Sequence, residues 1–460
     1  MMPLMRDNTT IGVGLIGCGT VGQGVVRLLE QQGDLYARRL GRSLVLRRVL
    51  VRDPEKSGRT DLLDRSLMTA DPEAFASTAD MPIVVEVAGG LVPVGSYVHE
   101  ALAAGKHVVT ANKSLLAARG AELFALARRH NVSIAFEASC GGGIPIVNAL
   151  LFGISSNRVD AMYGILNGTC NYILTEMTRS GTPYGEALGQ AQEMGFAEAD
   201  PTLDVSGRDA AEKLAILTSL AFGAQTDPAD VACEGIDKLE LDDIRFGAEL
   251  GYEIKLLGIA ERGRGEAPGS GPGPGPGPVG PESSVSMRVH PCFVPKQVPL
   301  AQVHGTFNAL AVYGHALGYC MYLGRGAGQM PTASAVVADL LNVASGWYPQ
   351  AFSHLTQWPD QHGPAELIAS DDLVSRFYLR FSARDEPGVV ARVSKVLGDA
   401  GISLGALLQH EVAAGQFVPL VIITHEAHQG ALIGALAAIE KLPVIEGTPV
   451  CLRIVDMPEG

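Results

Sequence analysis

The sequence predicts an α/β chain in three parts, and three observations predict it. From Ile11 to about Leu151, short β-branched runs alternate with amphipathic helical stretches. From about 152 to 345, longer strands and helices mix without that alternation, and from 376 to 456 the order is strand, helix, strand, strand, helix, strand. Continuous apolar runs separated by helices mark a parallel sheet covered on both faces, whereas the second pattern is that of an α+β domain.

In the first part "IGVGLIG", "LVLRRVLV", "IVVEVA", "HVVT" and "VSIAF" read as strands, each followed by a helix-like segment. The second part opens on a long strand, "VDAMYGIL", and ends with strands around "YEIKLLGIA", "SVSMRVHP" and "LAVYGHALG". Between two of these lies a Gly-Pro tract, 264–284, with nothing to bury; it is expected to be a disordered hairpin extension, which strand connections tolerate. After a polar connector at 346–375, the strands "FYLRFSA", "ISLGALLQH", "QFVPLVIITH" and "TPVCLRIV" and two helices give a ferredoxin-like βαββαβ sandwich, small enough to be an accessory module. The expected division is therefore 1–151, 152–345, the linker 346–375, and 376–460.

With 460 residues, 47% hydrophobic and 18% charged, the chain can bury a sizeable core in two or three domains. A formal net charge of -14 argues against nucleic acid or an anionic membrane as partner, because both reward clustered Lys and Arg. Small molecules and other protein chains remain. No apolar run reaches the roughly 20 residues of a spanning helix, and "MMPLMRDNTT" lacks the apolar core of a signal peptide. Seven cysteines without a C-x-x-C pair suit reduced thiols, so a cytoplasmic protein is expected.

"GLIGCGTVGQGVV" sets Gly17, Gly19 and Gly22 in G-x-G-x-x-G register between a strand and a helix. The three glycines serve a tight turn, close approach of backbone N–H groups to a pyrophosphate, and close helix–strand packing, which makes the first part a Rossmann-like dinucleotide-binding domain. At the end of the second strand, Arg52, Lys56 and Arg59 compose a loop suited to a 2′-phosphate and hence NADP, while Asp53 would instead suit the ribose of NAD. A solvated basic loop is the bland reading of Lys56 and Arg59. Lys113 follows the fourth strand, at the carboxyl edge where ligands of such sheets sit, among the polar Thr110, Asn112 and Ser114.

The stretch "GFAEADPTLDVSGRDAAEK" gathers Glu198, Asp200, Asp204 and Asp209 ahead of "LAILTSLAF", which carries no charge on any face. Asp209 and Lys213 are spaced i, i+4 at the start of that helix, so Lys213 is expected to point inward rather than across a solvated surface; Asp200 and Asp204 fit loop or capping positions. A buried lysine needs carboxylate compensation, and its proton affinity is then adjustable, as proton transfer near neutral pH requires.

This stretch resembles the signature of homoserine dehydrogenase, and "TANKS", "EASCGGGIP", "ILNGTCNYIL" and "GRGAGQMPTASAVVADLL" are similar to further segments of that family. The C-terminal unit, with "DEPGVVARV" and "AGISL", resembles an ACT domain, an amino-acid-sensing module. The resemblance implies NAD(P)H-dependent interconversion of L-aspartate 4-semialdehyde and L-homoserine in threonine and methionine biosynthesis. Feedback by threonine and a homodimer or homotetramer are also implied. Matched residue by residue, Lys213 is the acid/base, Asp209 its substrate-orienting partner, Glu198 the carboxylate for the substrate amino group, and Lys113 a lysine near the nicotinamide and the reacting carbonyl. It further implies Asn167, Gly168 and Thr169 for substrate, Thr20, Val21 and Gly326 for cofactor, and a monovalent cation, usually Na⁺, on the Glu137 carboxylate and the carbonyls of Cys140, Gly142 and Ile144.

Without the resemblance, "FEASCGGGIPI" reads as a Gly-rich linker and Glu137 as a structural hydrogen-bonder. Cys18 inside the glycine motif and Cys170 in place of a common threonine depart from the family pattern. Two other readings compete with this one. A non-catalytic sensor of NAD(P) and amino acids is disfavoured by the joint presence of Glu198, Asp209, Lys113 and Lys213; a semialdehyde dehydrogenase using the Cys140 thiol lacks a histidine at suitable spacing.

Overall fold

The computed structural model describes residues 10–56, 62–263, 283–410 and 416–457. Arg59 and the Gly-Pro tract up to residue 282 lie outside the described residues. In chain order the elements are β1 (Thr10–Ile16), α1 (Thr20–Leu40), β2 (Ser43–Leu50), β3 (Met68–Thr69), α2 (Pro72–Ala76), β4 (Ile83–Glu86), α3 (Val94–Ala103), β5 (His107–Thr110), α4 (Lys113–Arg129), β6 (Ile134–Ala135) and α5 (Ile146–Asn148). Then come β7 (Val159–Ile165), α6 (Gly168–Ser180), α7 (Tyr184–Glu193), α8 (Thr202–Val205), α9 (Arg208–Phe222), β8 (Ala232–Cys233), α10 (Leu241–Glu249), β9 (Tyr252–Arg262), β10 (Ser284–Pro295), β11 (Phe307–Gly314), β12 (Gly318–Arg325), α11 (Gln329–Ala344) and α12 (Trp347–His354). The last are β13 (Glu366–Leu367), β14 (Val374–Arg384), α13 (Val389–Asp399), β15 (Leu404–Gln409), β16 (Phe417–Thr424), β17 (Ala427–His428), α14 (Gln429–Ile439) and β18 (Ile445–Ile454).

One compact unit comprises Met1–Ser156, Ala215–Pro228 and Tyr322–Pro364. Its six strands run in the order β3-β2-β1-β4-β5-β6, every neighbouring pair parallel. The order reverses at β1/β4, which leaves a crevice at the carboxyl ends of those two strands. Val13, Leu15, Val84, Val85, Val108 and Val109 are buried, as continuous apolar strands between helices require. Helix α11 packs against α1, and Gly24 permits the approach: a Cβ there would lie 2.8 Å from the Ala333 methyl. The connector at 346–375 carries structure of its own, since α12 buries Tyr348 and Phe352, and Trp358 packs on Phe124 and Phe352.

The other unit comprises Asn157–Leu214, Ala229–Met321 and Ala365–Gly460. Its sheet runs β12-β11-β7-β9-β10-β18-β14-β16-β15, so the ferredoxin-like part continues the sheet of the middle part. The join is short and parallel, Cys292 opposite Arg453 and Phe293 opposite Ile454. On the middle part, Tyr163, Leu257, Ile259, Cys292 and Val294 belong to one buried cluster; on the C-terminal part, Phe377, Leu379, Val393, Ile422 and Leu432 belong to another. The expected βαββαβ order is present in β14, α13, β15, β16, α14 and β18, with the two-residue β17 added. The single strand expected at "LAVYGHALG" is two, because the chain turns after Gly314 and resumes as β12 at Gly318, whose φ is 67°. Among the described residues no helix is long and apolar enough to cross a membrane.

Candidate active site

The glycine turn is built by steric exclusion. Gly17 has φ +96°, and a Cβ there would approach the Ala88 amide nitrogen to 2.7 Å; one on Gly22 would run into the Gly17 carbonyl. At Gly19 a Cβ would meet nothing within 4 Å, so this glycine leaves the backbone open toward a ligand. Gly19 is also the N-cap of α1 and gives that helix no side-chain cap. The first helical N–H groups, those of Thr20, Val21 and Gly22, are thus available to an anion. A cavity of about 380 Å³ lies here, lined by Gly17, Gly19, Arg52, Lys56, Val87 and Gly89 among others. Asp53 is not part of that lining, and its Oδ1 accepts the Glu55 N–H at 2.9 Å.

Beside the turn, β4 ends in Glu86, fully buried, a residue the sequence reading did not single out. Its Oε1 accepts the N–H groups of Ala88 (2.8 Å) and Gly89 (2.9 Å), and its Oε2 accepts the Thr110 hydroxyl at 2.6 Å. Burial nonetheless holds this carboxyl above its ordinary range. Asn112 accepts the Leu115 N–H as N-cap of α4 and donates from Nδ2 to the Gly90 carbonyl at 2.7 Å. Glu86 and Asn112 therefore fix both the loop lining the cavity and the first turn of α4, where Lys113 stands half-buried. The available signal for Glu86 was a lone acid closing an apolar strand, "IVVE".

In the other unit, Lys213 is largely withdrawn from solvent, its side chain 13% exposed. Its Nζ donates to the Leu166 carbonyl at 2.8 Å and to Asp209 Oδ2 at 2.7 Å. Asn167 completes the group: its Nδ2 donates to Asp209 Oδ2 and to Asp204 Oδ1, each at 2.8 Å, while its Oδ1 accepts the Cys170 N–H as N-cap of α6. Ala210, Ala211, Leu214, Leu217 and Leu220 are buried along α9, which accounts for the inward lysine. Asp200 lies on the loop before α8, whose N-cap is Pro201, and accepts the Thr202 N–H and hydroxyl. Asp204 does not cap; burial raises its carboxyl above the ordinary range while Asn167 pulls it down. Gly168 is needed because a Cβ would sit 2.8 Å from the Thr306 carbonyl, and the Thr169 hydroxyl donates to the Phe196 carbonyl at 2.8 Å. Glu198 stands apart, its side chain exposed on the loop after α7.

The loop matched to a cation site is deeply buried around Glu137 and Cys140. The Glu137 carboxylate accepts the N–H groups of Val147 and Asn148, each at 2.8 Å, and the Asn148 side-chain amide. The Ile146 N–H also acts on this carboxylate, and burial still raises it above the ordinary range. Asp339, which the sequence reading missed, accepts the Glu137 N–H at 2.7 Å through Oδ2, and its buried Oδ1 has no partner among the described residues. Gly142, at φ +58°, lies so close to Gly326 that a Cβ would strike the Gly326 carbonyl. Gly326 thus meets the Glu137 loop, and it is absent from the lining of the glycine-turn cavity. Among the described residues no three His, Cys, Asp or Glu side chains cluster as a metal site.

Family models described as homoserine dehydrogenase, NAD binding domain, as homoserine dehydrogenase, and as ACT domain match residues 17–137, 145–341 and 377–444. The homoserine dehydrogenase of Synechocystis is 40% identical over 452 residues, covering 97% of this chain and 100% of that one. That of Bacillus subtilis is 37% identical over 445 residues, with coverage of 96% and 98%. The crystal structure of a homoserine dehydrogenase from Thiobacillus denitrificans superposes with a TM-score of 0.87 at 38% identity, covering 97% of this chain and 98% of that chain.

Proposed function

Because the chain belongs to the homoserine dehydrogenase family, whose members are NAD(P)-dependent oxidoreductases acting on a CH–OH group, we propose that Lys213 is its acid/base, oriented by Asp209. The observation that carries this is the Lys213–Asp209–Asn167 network, set at the head of a helix that carries no charge after Lys213. A bound nicotinamide supplies or takes up the hydride. Lys213 Nζ gives a proton to the oxygen that gains charge on reduction of the semialdehyde and, when neutral, takes the hydroxyl proton of homoserine on oxidation. Lys113 is the second cation at the reacting carbonyl. Glu198 binds the substrate ammonium, with Asn167, Gly168 and Thr169 forming the substrate strap. Lys213→Ala is expected to lower kcat by about 10²–10⁴-fold with cofactor affinity unchanged. Normal turnover by the alanine variant would refute the assignment.

We also propose NADP as the preferred cofactor, held by the glycine turn through Gly17, Gly19, Thr20, Val21 and Gly22. Arg52 and Lys56 line the cavity, while Asp53 is turned onto the Glu55 N–H. A solved archaeal homoserine dehydrogenase in complex with NADPH shares the fold. A monovalent cation such as Na⁺ would use Glu137 and the carbonyls of Cys140, Gly142 and Ile144. The buried Asp339 Oδ1, left without a partner beside the Glu137 loop, fits one hard cation nearby. By the family likeness, residues 1–151 bind cofactor, 152–345 bind substrate, and 376–460 sense an effector, threonine, in a cytoplasmic homodimer or homotetramer. The absence of disulfides among its seven cysteines suits that compartment.

A further inference from the structure

One residue on the core face of β9 is charged. Leu257 and Ile259 lie on that face, in the buried cluster with Leu300, Ala301 and Val303, and the two-residue period of the strand adds Lys255, which is 1% exposed. Burying an ammonium is costly unless its protons are met, and a well-packed apolar side chain would stabilise such a position better. What the lysine supplies instead is a donor. Its Nζ donates to the Val303 carbonyl at 2.7 Å and lies 3.3 Å from His304 Nδ1, which in turn stands 3.6 Å from Glu253 Oε1. Among the described residues, the charged and titratable groups that act on it are Glu253, His304 and, in the last turn of α6, Arg179.

Val303 begins a loop laid along α6. Asn171 Nδ2 donates to the carbonyls at both its ends, Val303 at 3.2 Å and Phe307 at 3.1 Å, and the Gly305 N–H donates to the Thr175 hydroxyl at 3.0 Å. The Thr306 carbonyl is the one that excludes a Cβ at Gly168. Gly168, Asn171 and Thr175 share one face of the helix, at i, i+3 and i+7. Just ahead of them stands Asn167, the N-cap whose amide holds Asp209 and Asp204. Both lone pairs of the Val303 carbonyl are taken, one by α6 and one by Lys255. The lysine thus ties the loop to β9, and the loop ties down the first turn of α6.

We propose that Lys255 is a positioning residue for the substrate: through the loop from Val303 to Phe307, its ammonium seats the first turn of α6, where Asn167, Gly168 and Thr169 meet homoserine. The proposal rests on reading those three residues as the substrate strap, and it names the group that sets the strap's place. Desolvation pushes this ammonium down to about 8, against the pull of Glu253, so its charge is present at neutral pH and is lost just above. His304, pushed down to about 4 by burial and by Lys255, stays neutral over that range. A neutral amine makes a weaker hydrogen bond than an ammonium. The strap therefore loosens as pH rises through about 8.

The test is steady-state homoserine oxidation by the full chain from pH 7 to 9, with homoserine and cofactor varied in turn, for wild type, Lys255→Met, Glu253→Gln and Thr169→Val. Lys255→Met is expected to raise KM for homoserine about tenfold at pH 7 and to leave KM for cofactor within about twofold. The ratio of its homoserine KM to that of wild type is expected to fall as pH rises through about 8, because wild type loses the same charge. Taking the ratio cancels ionisation of the substrate itself. Glu253→Gln removes the anion that favours the ammonium, so its homoserine KM should climb at lower pH than that of wild type; this arm decides if Lys255→Met fails to fold. A ratio that stays at one, or that is raised but flat across the range, would overturn the proposal, as would a KM for Glu253→Gln that climbs at the wild-type pH. Thr169→Val separates the strap from its support. An unchanged homoserine KM in Thr169→Val overturns the strap reading and this proposal with it, whereas a KM raised in Thr169→Val and unchanged in Lys255→Met overturns the role of Lys255 alone.

Discussion

At the glycine turn, the demand falls on the backbone, and the residue type itself records it. Gly17 has a φ that side chains disfavour and a neighbour 2.7 Å from where a Cβ would be; Gly22 faces the Gly17 carbonyl at contact. At Lys213 the demand is for acceptors, and one of them is the carbonyl of Leu166, 47 positions away. Any residue offers a carbonyl. Steric demands on the backbone therefore surface as a motif, whereas electrostatic demands met by the backbone leave no trace in the residues that meet them.

Gly17→Ala gives the largest expected effect in this comparison after loss of Lys213. It forces a left-handed residue and a clash with Ala88, so a stability loss of about 1–3 kcal/mol and a cofactor affinity lower by roughly 100-fold are expected, read by thermal melting and cofactor titration. Gly19→Ala separates the two consequences. Its Cβ enters open space, so the melting temperature should hold while cofactor affinity drops about tenfold, because the added methyl occupies the approach of the pyrophosphate. Equal melting losses in both variants would show that the turn is a structural device and not a phosphate seat.

Arg52→Ala sharpens the cofactor side. Loss of one exposed phosphate partner should raise KM for NADP about tenfold and leave KM for NAD within twofold. Equal changes for both cofactors would return the loop to an ordinary solvated surface.

The same distinction explains what was legible in the sequence. The parallel sheet, the glycine turn and the inward lysine could be read because period, φ and the uncharged run after Lys213 are local properties. The two-residue β3 and the turn that separates β11 from β12 offered no period to read. Asp339 and Glu86 were missed because a single buried acid looks like any other until its partners, 202 and 24 positions distant, are placed. The joint between β10 and β18 was invisible for a further reason: edge strands of two separate patterns carry no mark of which edge they will meet.

The smallest effect concerns Asp204, which the sequence fits to a loop or a cap and which lies within α8. Burial, the largest influence, raises its carboxyl above the ordinary range, so the folded chain binds that proton more tightly than the unfolded chain does. The stabilisation from this carboxyl is then complete below the unfolded value of about 3.9 and is lost as pH rises through the higher folded value. Asp204→Asn removes the titration while retaining an acceptor for Asn167. The melting temperature of wild type minus that of Asp204→Asn should therefore decline as pH is raised from about 4 toward neutrality. A difference that rises instead would mean that the hydrogen bond from Asn167, which lowers the same carboxyl, outweighs burial, and that the acidic side of the lysine network is held by directed donors rather than by exclusion of water.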